Sequence, residues 1–363
     1  MTPAGTSNSN VEFINPEQGK RILALCYKAK VPTFFVGGPA TAKTTIHADF
    51  VDWLNENLPK GAKQFGFWPY SMAASDPTSF AYPVADKEKG HVRELPPESL
   101  PFNQPDARGM IFLDEADDLE ADNMQATMMN LVHDQKFCGN TLSDGVLTSM
   151  AGNGSSDSGT IEMREALISR MCVLYVSAHS AGFEESWQQW AMAEGVDTAV
   201  RTFRRLSSDL IQRHEDYEEM SVCNDRTLAM ADRILQASRS VKFQTDDILL
   251  PAIAGCIGKA AAVKLFATIE LQEKAPSIEE IVADPEGTPV PAETSIQCGL
   301  AMQIVDGCRV REHQGALMTY LLRLNAEITV FGLTFAKQDS AEVFGLPHVL
   351  AWMNAPEQKG IML

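Results

Sequence analysis

The stretch Val31-Pro32-Thr33-Phe34-Phe35-Val36-Gly37-Gly38-Pro39-Ala40-Thr41-Ala42-Lys43-Thr44-Thr45 decides how the rest of the chain is read. It opens as a short β-rich apolar run, breaks at Gly37-Gly38-Pro39 and passes into a helix. Gly37, Lys43 and Thr44 match the phosphate-loop pattern G-x-x-x-x-G-K-[ST], with Ala42 standing where the second glycine is usual. The backbone from Gly37 through Gly38, Pro39, Ala40, Thr41 and Ala42 would wrap a phosphate, with a helix N-terminus aimed at it. Lys43 would meet the β- and γ-oxygens. The Thr44 hydroxyl, followed by Thr45, would face Mg2+. Alanine at 42 costs little there provided its φ is negative.

A second apolar run, Gly109-Met110-Ile111-Phe112-Leu113-Asp114-Glu115, ends in two carboxylates. An Asp at the end of such a strand can hold the water shell of Mg2+, and the adjacent Glu can polarise an attacking water. A phosphate loop on one strand followed in order by Asp-Glu on another points to a site for ATP with Mg2+. Asp114-Glu115-Ala116-Asp117 also spells the letters of a DEAD-box helicase, but no Ser-Ala-Thr follows and a second recombinase-like domain is absent. The GTPase reading fails because no [NT]-K-x-D motif is present; Ala336-Lys337-Gln338-Asp339 lacks its first residue.

Further apolar runs at Phe65–Tyr70, Val146–Ala151 and Met171–Val176 lack polar alternation and are separated by helical patterns. They predict an α/β fold with a parallel five-stranded sheet covered on both faces. Met124, Met128 and Leu131 fall on one face of a helix between two of these strands. Residues 69–109, with seven prolines, read as an insertion. Residues 1–15 read as a flexible tail, 16–178 as the nucleotide-binding core and 179–271 as a helical lid. An acidic, proline-rich linker is expected over 272–295 and a helical extension over 296–363. Trp187 and Trp190, three residues apart, read as packing.

The 363 residues carry a formal charge of −18 and are 45% hydrophobic. That composition is globular. The acidic balance argues against a protein whose task is to coat nucleic acid, because phosphate neutralisation needs basic surface. Seven cysteines without a CxxC spacing suggest reduced thiols and a cytoplasmic location. The apolar stretch from Ile248 to Ile269 carries Lys259 and Lys264, which fits a buried helix pair and not a membrane span.

With these motifs in order, the chain resembles the AAA+ ATPases, and most of all their MoxR branch. That branch commonly has Ala before the loop lysine, as Ala42-Lys43-Thr44 does, and an insertion ahead of the Asp-Glu strand. Gln135–Leu142 sits where the family carries a hairpin. The resemblance implies that Asn153, in Met150-Ala151-Gly152-Asn153-Gly154, is the sensor that reads the γ-phosphate. It implies that Arg170, in Arg164-Glu165-Ala166-Leu167-Ile168-Ser169-Arg170-Met171, is an arginine finger for a neighbouring subunit. Arg164 is the second candidate. Arg226 matches the lid sensor, although Asn224-Asp225 stands where the family has Ser-Pro. The resemblance covers about residues 11–270 and implies ATP hydrolysis in a hexameric homo-oligomer that remodels a client protein. A partner with a von Willebrand A domain is implied in the same way. The other function classes weighed are a DNA-acting AAA+ motor or initiator, and a nucleotide-binding scaffold without turnover.

Overall fold

The computed structural model describes residues 12–72, 82–88, 90–117, 122–137, 139–154, 163–211, 221–240 and 246–355. Residues 1–11 of the expected tail, 73–81 and 89 of the expected insertion, and 356–363 of the extension lie outside them. The chain divides into two compact units, Met1–Ser186 and Trp187–Leu363.

The first unit is built on strands β1 (Phe13–Ile14), β2 (Thr33–Val36), β3 (Gly66–Ser71), β4 (Tyr82–Asp86), β5 (His91–Leu95), β6 (Arg108–Asp114), β7 (Lys136–Phe137), β8 (Asn140–Thr141), β9 (Gly145–Gly152) and β10 (Cys172–Val176). Its helices are α1 (Pro16–Ala29), α2 (Lys43–Glu56), α3 (Asp122–Asp134) and the short α4 (Glu165–Ile168). Six strands form one sheet in the order β1-β10-β2-β9-β6-β3, and every pairing in it is parallel. The α/β parallel architecture is the expected one, with one strand more than the five read from the sequence. The sixth, β1, comes from the segment expected to be tail. Two residues are too few to show a pattern, and the pairing of Phe13 and Ile14 with Tyr175 and Val176 creates the strand.

Successive residues of each strand point to opposite faces, and the sheet buries both. Phe35, Phe112, Leu147 and Val176 pack with Leu23 of α1 and with Ile46 and Phe50 of α2. Phe34, Ile111, Leu113 and Met150 pack on the other face with Met128 and Leu131 of α3. Met110, Ile111, Phe112 and Leu113 are fully buried, which is why this strand reads as an unbroken apolar run.

One polar chain crosses the first of these cores. His47 of α2 is fully buried, with Phe35 at 4.6 Å and Phe112 at 4.2 Å between ring centroids. Its Nδ1 lies 2.6 Å from the Lys43 carbonyl and its Nε2 lies 2.6 Å from the Ser149 hydroxyl. Ser149 in turn meets the Thr33 hydroxyl at 2.6 Å. A carbonyl can only accept, so Nδ1 carries the proton and Nε2 accepts from Ser149, which accepts from Thr33. The chain ties α2 to β9 and β2.

Two antiparallel hairpins decorate the sheet. One, β4-β5, falls in the expected insertion; the other, β7-β8, falls where the family hairpin was expected. The loop before β6 reaches the second hairpin through Asn103, whose Nδ2 donates to Asn140 Oδ1 at 2.8 Å and whose backbone N–H donates to the Thr141 carbonyl at 2.8 Å. Asn140 Nδ2 donates to the Glu94 carbonyl of β5 at 3.2 Å.

The second unit is helical. Helix α5 (Phe183–Ala193) runs into it and is followed by α6 (Thr198–Leu206), α7 (Asp225–Ser240), α8 (Asp246–Ile257), α9 (Lys259–Gln272), α10 (Ile278–Ala283), α11 (Thr294–Gly307), α12 (Gln314–Leu321), α13 (Ala326–Asp339) and α14 (Pro347–Met353). Val200, Phe203, Leu228, Ile253 and Leu265 form one core with Trp187, and Trp190 packs against it. A buried ion pair, Arg204 Nε to Asp225 Oδ1 at 2.5 Å, fastens α6 to the start of α7. Burial pushes the Asp225 carboxyl up, and Arg204 opposes the shift. Ile281, Leu300, Leu317, Leu321 and Val343 form a further core.

Residues 272–295, expected as a linker, are built into this last core. Helix α10 has a capping box between Ser277 and Glu280, and Ile281 is fully buried. Tyr320 Oη donates to the Pro289 carbonyl at 2.7 Å, and Arg323 Nη1 to the Pro285 carbonyl at 2.6 Å. The prolines that suggested a free linker instead supply carbonyl acceptors for the next helices. Helices α8 and α9 are the expected pair over Ile248–Ile269. Among the described residues no helix is long and apolar enough to cross a membrane.

The His47 pKa is lowered to about 4, because burial disfavours the imidazolium more than the Lys43 carbonyl favours it. A neutral buried histidine contributes its stability above its unfolded pKa near 6.5 and loses it as pH falls toward 4. The stability lost across that window is expected to be roughly 3 kcal/mol at most. Urea unfolding of the whole chain at a series of pH values checks it. A His47→Gln variant should show a shallower decline, and an identical decline in both proteins would contradict the assignment.

Candidate functional site

In a parallel sheet the strands end on one edge, and the loops that leave that edge form the binding crevice. Here β2 ends at Val36, β3 at Ser71, β6 at Asp114 and β9 at Gly152, and these ends lie side by side. Gly37 leaves β2 under a tight constraint. A side chain there would place Cβ 2.3 Å from the Val176 carbonyl oxygen, and its own N–H donates to the Gly152 carbonyl at 3.1 Å. Only glycine fits between the two neighbouring strands.

The loop then curls over its own lysine. Lys43 Nζ donates to the carbonyls of Gly37 at 2.5 Å and Gly38 at 2.9 Å, and to Asn153 Oδ1 at 3.2 Å. Thr41 Oγ1 donates to the Gly38 carbonyl at 2.7 Å. Ala40 and Ala42 have φ of 59° and 64°. The condition under which alanine at 42 is cheap is therefore not met: the residue is left-handed, where a Cβ crowds the following carbonyl oxygen. The curl requires this, because Ala42 sits at the N-cap of α2 and turns the chain into the helix.

Thr44 and Asp114 meet at the mouth, with Thr44 Oγ1 donating to Asp114 Oδ2 at 2.8 Å. Thr45 follows on α2, half-buried. A hydroxyl and a carboxylate this close are hard oxygen donors of the kind Mg2+ takes. Glu115 is exposed and has a φ of 56°. That backbone turns its side chain out of the strand line, at the kind of cost found at functional sites. Its Oε2 accepts from Ser71 Oγ at 2.9 Å.

The structure thus brings Gly37, Gly38, Lys43, Thr44, Asp114, Glu115 and Asn153 together, with Pro39, Ala40, Thr41 and Ala42 as the intervening loop. Arg170 does not join them. Cys172 pairs with Thr33, the first residue of β2, so Arg170 lies at the edge where strands begin. It lines a polar groove of about 260 Å3 with Lys30, Asp144 and Thr148. Its Nη1 donates to the Ala166 carbonyl. Arg164 is exposed and caps α4, its backbone N–H donating to Gln125 Oε1 at 2.8 Å. Arg226 is exposed on α7 of the second unit.

Two residues of this edge, Ser71 and Asp117, and one behind it, His47, were not singled out from the sequence. Ser71, beside Asp114 in the register, holds Glu115. His47 anchors the loop helix from behind. Asp117, read only as one of four letters, is buried and accepts from Gly154 N–H at 2.6 Å. The polar residue that ends an apolar strand was the available signal for Ser71; a lone His or Asp in a turn gives none.

The chain is an α/β protein with a phosphate-loop arrangement at the carboxyl edge of a parallel sheet. No family model matches it, and no curated protein matches it. Among solved structures it is similar to NtrX from Brucella abortus in complex with ADP, at 14% identity and a TM-score of 0.41, over 95% of this chain and 69% of that one. It is similar to a point mutant of RuvB from Thermotoga maritima at 13% identity and a TM-score of 0.39, over 94% of this chain and 88% of that one. Likeness at this level assigns the chain to no family.

The left-handed alanines give a direct test. Replacing Ala42 with Gly relieves the Cβ contact but adds freedom to the unfolded chain, so a net gain of about 0.5–1 kcal/mol is expected. Urea unfolding at neutral pH measures it, and a loss of stability would contradict the left-handed assignment.

Proposed function

We propose that the chain is an AAA+ ATPase of the MoxR type, hydrolysing ATP with Mg2+ in a ring of identical subunits to remodel a client protein. The observation that carries this reading is the convergence of Lys43, the Thr44–Asp114 pair, Glu115 and Asn153 on one sheet edge. Thr44 and Asp114 would hold the Mg2+, which supplies charge neutralisation at the β- and γ-phosphates. Lys43 exchanges its carbonyl partners for phosphate oxygens. Glu115, turned outward by its backbone and steadied by Ser71, orients and polarises the attacking water. Asn153, already bonded to Lys43, is positioned to face the γ-phosphate side of the lysine.

Arg170 supports the ring. It lies at the opposite edge of the sheet from Lys43, and β2 alone separates the two edges by about 10 Å or more. A guanidinium there serves a phosphate held by another copy, where it stabilises charge in the transition state. Arg226 is assigned the lid-sensor role and Arg164 the second finger position by resemblance alone. The hexameric ring size, the client and a partner with a von Willebrand A domain belong to the same proposal, as does a cytoplasmic location. The charge of −18 favours a protein client over nucleic acid.

Three measurements test it. Glu115→Gln should lower steady-state turnover at least about 100-fold while ATP binding persists; unchanged turnover would sink the catalytic assignment. Lys43→Ala and Arg170→Ala should each be inactive, yet an equimolar mixture should regain part of the turnover, because one chain supplies the loop and the other the arginine. No recovery, with ring assembly intact, would place Arg170 outside the reaction. Stimulation by DNA would contradict the protein-client reading.

A further inference from the structure

The candidate sensor Asn153 lies between two glycines, and Gly154 has a φ of +84°. Such a tripeptide has little stiffness of its own. Something else must hold Asn153 where Lys43 and a phosphate can meet it. On one side the β9 end is fixed by Gly37 N–H donating to the Gly152 carbonyl at 3.1 Å and by Ala116 N–H donating to the Ala151 carbonyl at 2.8 Å. On the other side the single described tether is Asp117, whose Oδ2 accepts from Gly154 N–H at 2.6 Å.

Asp117 is 3% exposed. Its carboxylate lies flat against Gly152: a Cβ on that glycine would fall 2.4 Å from the carboxyl carbon. Among the described residues its second oxygen, Oδ1, has no hydrogen-bond partner. A buried carboxylate with one oxygen unpaired is a costly way to make one hydrogen bond. The cost is understandable if the bond does more than close a turn. Asp117 stands three residues after Asp114 and two after Glu115, on the same turn. Through Gly154 it fixes the distance between the residue that activates water and the residue that reads the γ-phosphate.

We infer that Asp117 is a positioning residue that locks the Asn153 loop to the Asp114-Glu115 turn, so that sensor and water-activating acid keep one geometry while Lys43 changes partners. The inference rests on the ATP-hydrolysing reading of the site. Asp117 touches neither nucleotide nor water itself. It acts through the Gly154 amide.

Asp117→Ala in the full chain tests it. Turnover should fall about tenfold to a hundredfold, as for a misplacement near 1 Å, with KM and affinity for a non-hydrolysable ATP analogue changing less than about threefold. Asp117→Asn keeps a carbonyl acceptor for Gly154 and should recover most of the lost turnover. Adding Asp117→Ala to Asn153→Ala should cost little beyond Asn153→Ala alone, because both remove the same contact. Wild-type turnover in Asp117→Ala, no recovery in Asp117→Asn, or losses that multiply in the double variant would each overturn the inference. Amide hydrogen exchange in the unsubstituted chain covers the case in which Asp117→Ala does not fold: the Gly154 N–H should be protected, and rapid exchange would overturn the tether. A wild-type chain that never hydrolyses ATP would overturn the functional reading instead, whatever the state of Gly154.

Discussion

A single buried imidazole fastens the phosphate loop's helix to the sheet. His47 spends both of its nitrogens on this, one on its own helix at Lys43 and one on Ser149 of β9, with Thr33 of β2 behind it. The aromatic rings of Phe35 and Phe112 enclose it. The arrangement works only for the neutral ring in one tautomer. A charged ring would present a second donor to Ser149 and bring an uncompensated cation into an apolar core. Together with the packing of Ile46 and Phe50 against the sheet, this bond set holds α2 and its N-cap in place behind the loop.

The second constraint is close approach. Gly37 is pressed against the Val176 carbonyl, and Gly152 against the Asp117 carboxylate. At the first place two strand ends, and at the second a strand end and a buried carboxylate, come nearer than a side chain permits. The compression aligns carbonyls and amides into a rim, and the rim holds Lys43 by three oxygens. Backbone strain gathers at the same rim. Ala40, Ala42 and Glu115 are all left-handed without being glycine, and the close packing of strand ends makes these conformations the ones that fit.

The parts of this design that showed in the sequence are those with a repeating or spaced signal. Apolar runs without alternation marked the buried parallel strands, and Met128 and Leu131 marked the helix on the far face. Gly37, Lys43, Thr44, Asp114 and Glu115 were legible because their spacing is fixed by chain geometry within one loop or one strand end. The left-handed state of Ala42 was not legible, because the residue gives no hint of the φ that the turn imposes on it. Ser71, His47 and Asp117 were missed because each acts on a partner 37 to 102 residues away, and one sequence does not show such pairings. The extra strand β1 depends on register with β10 and not on its own two residues. The linker reading failed because proline and acid content describe a segment's preferences in isolation, while Ile281 and three backbone carbonyls gave this one a place in a core.

The bond between Asn103 and Asn140 has a mechanical meaning. Asn140 also holds the Glu94 carbonyl of the β4-β5 hairpin, so both decorations of the sheet are riveted at one amide side chain. The two hairpins therefore share one hydrogen-bonded junction, and the loop that follows Asn103 leads from that junction to β6, the strand that carries Asp114.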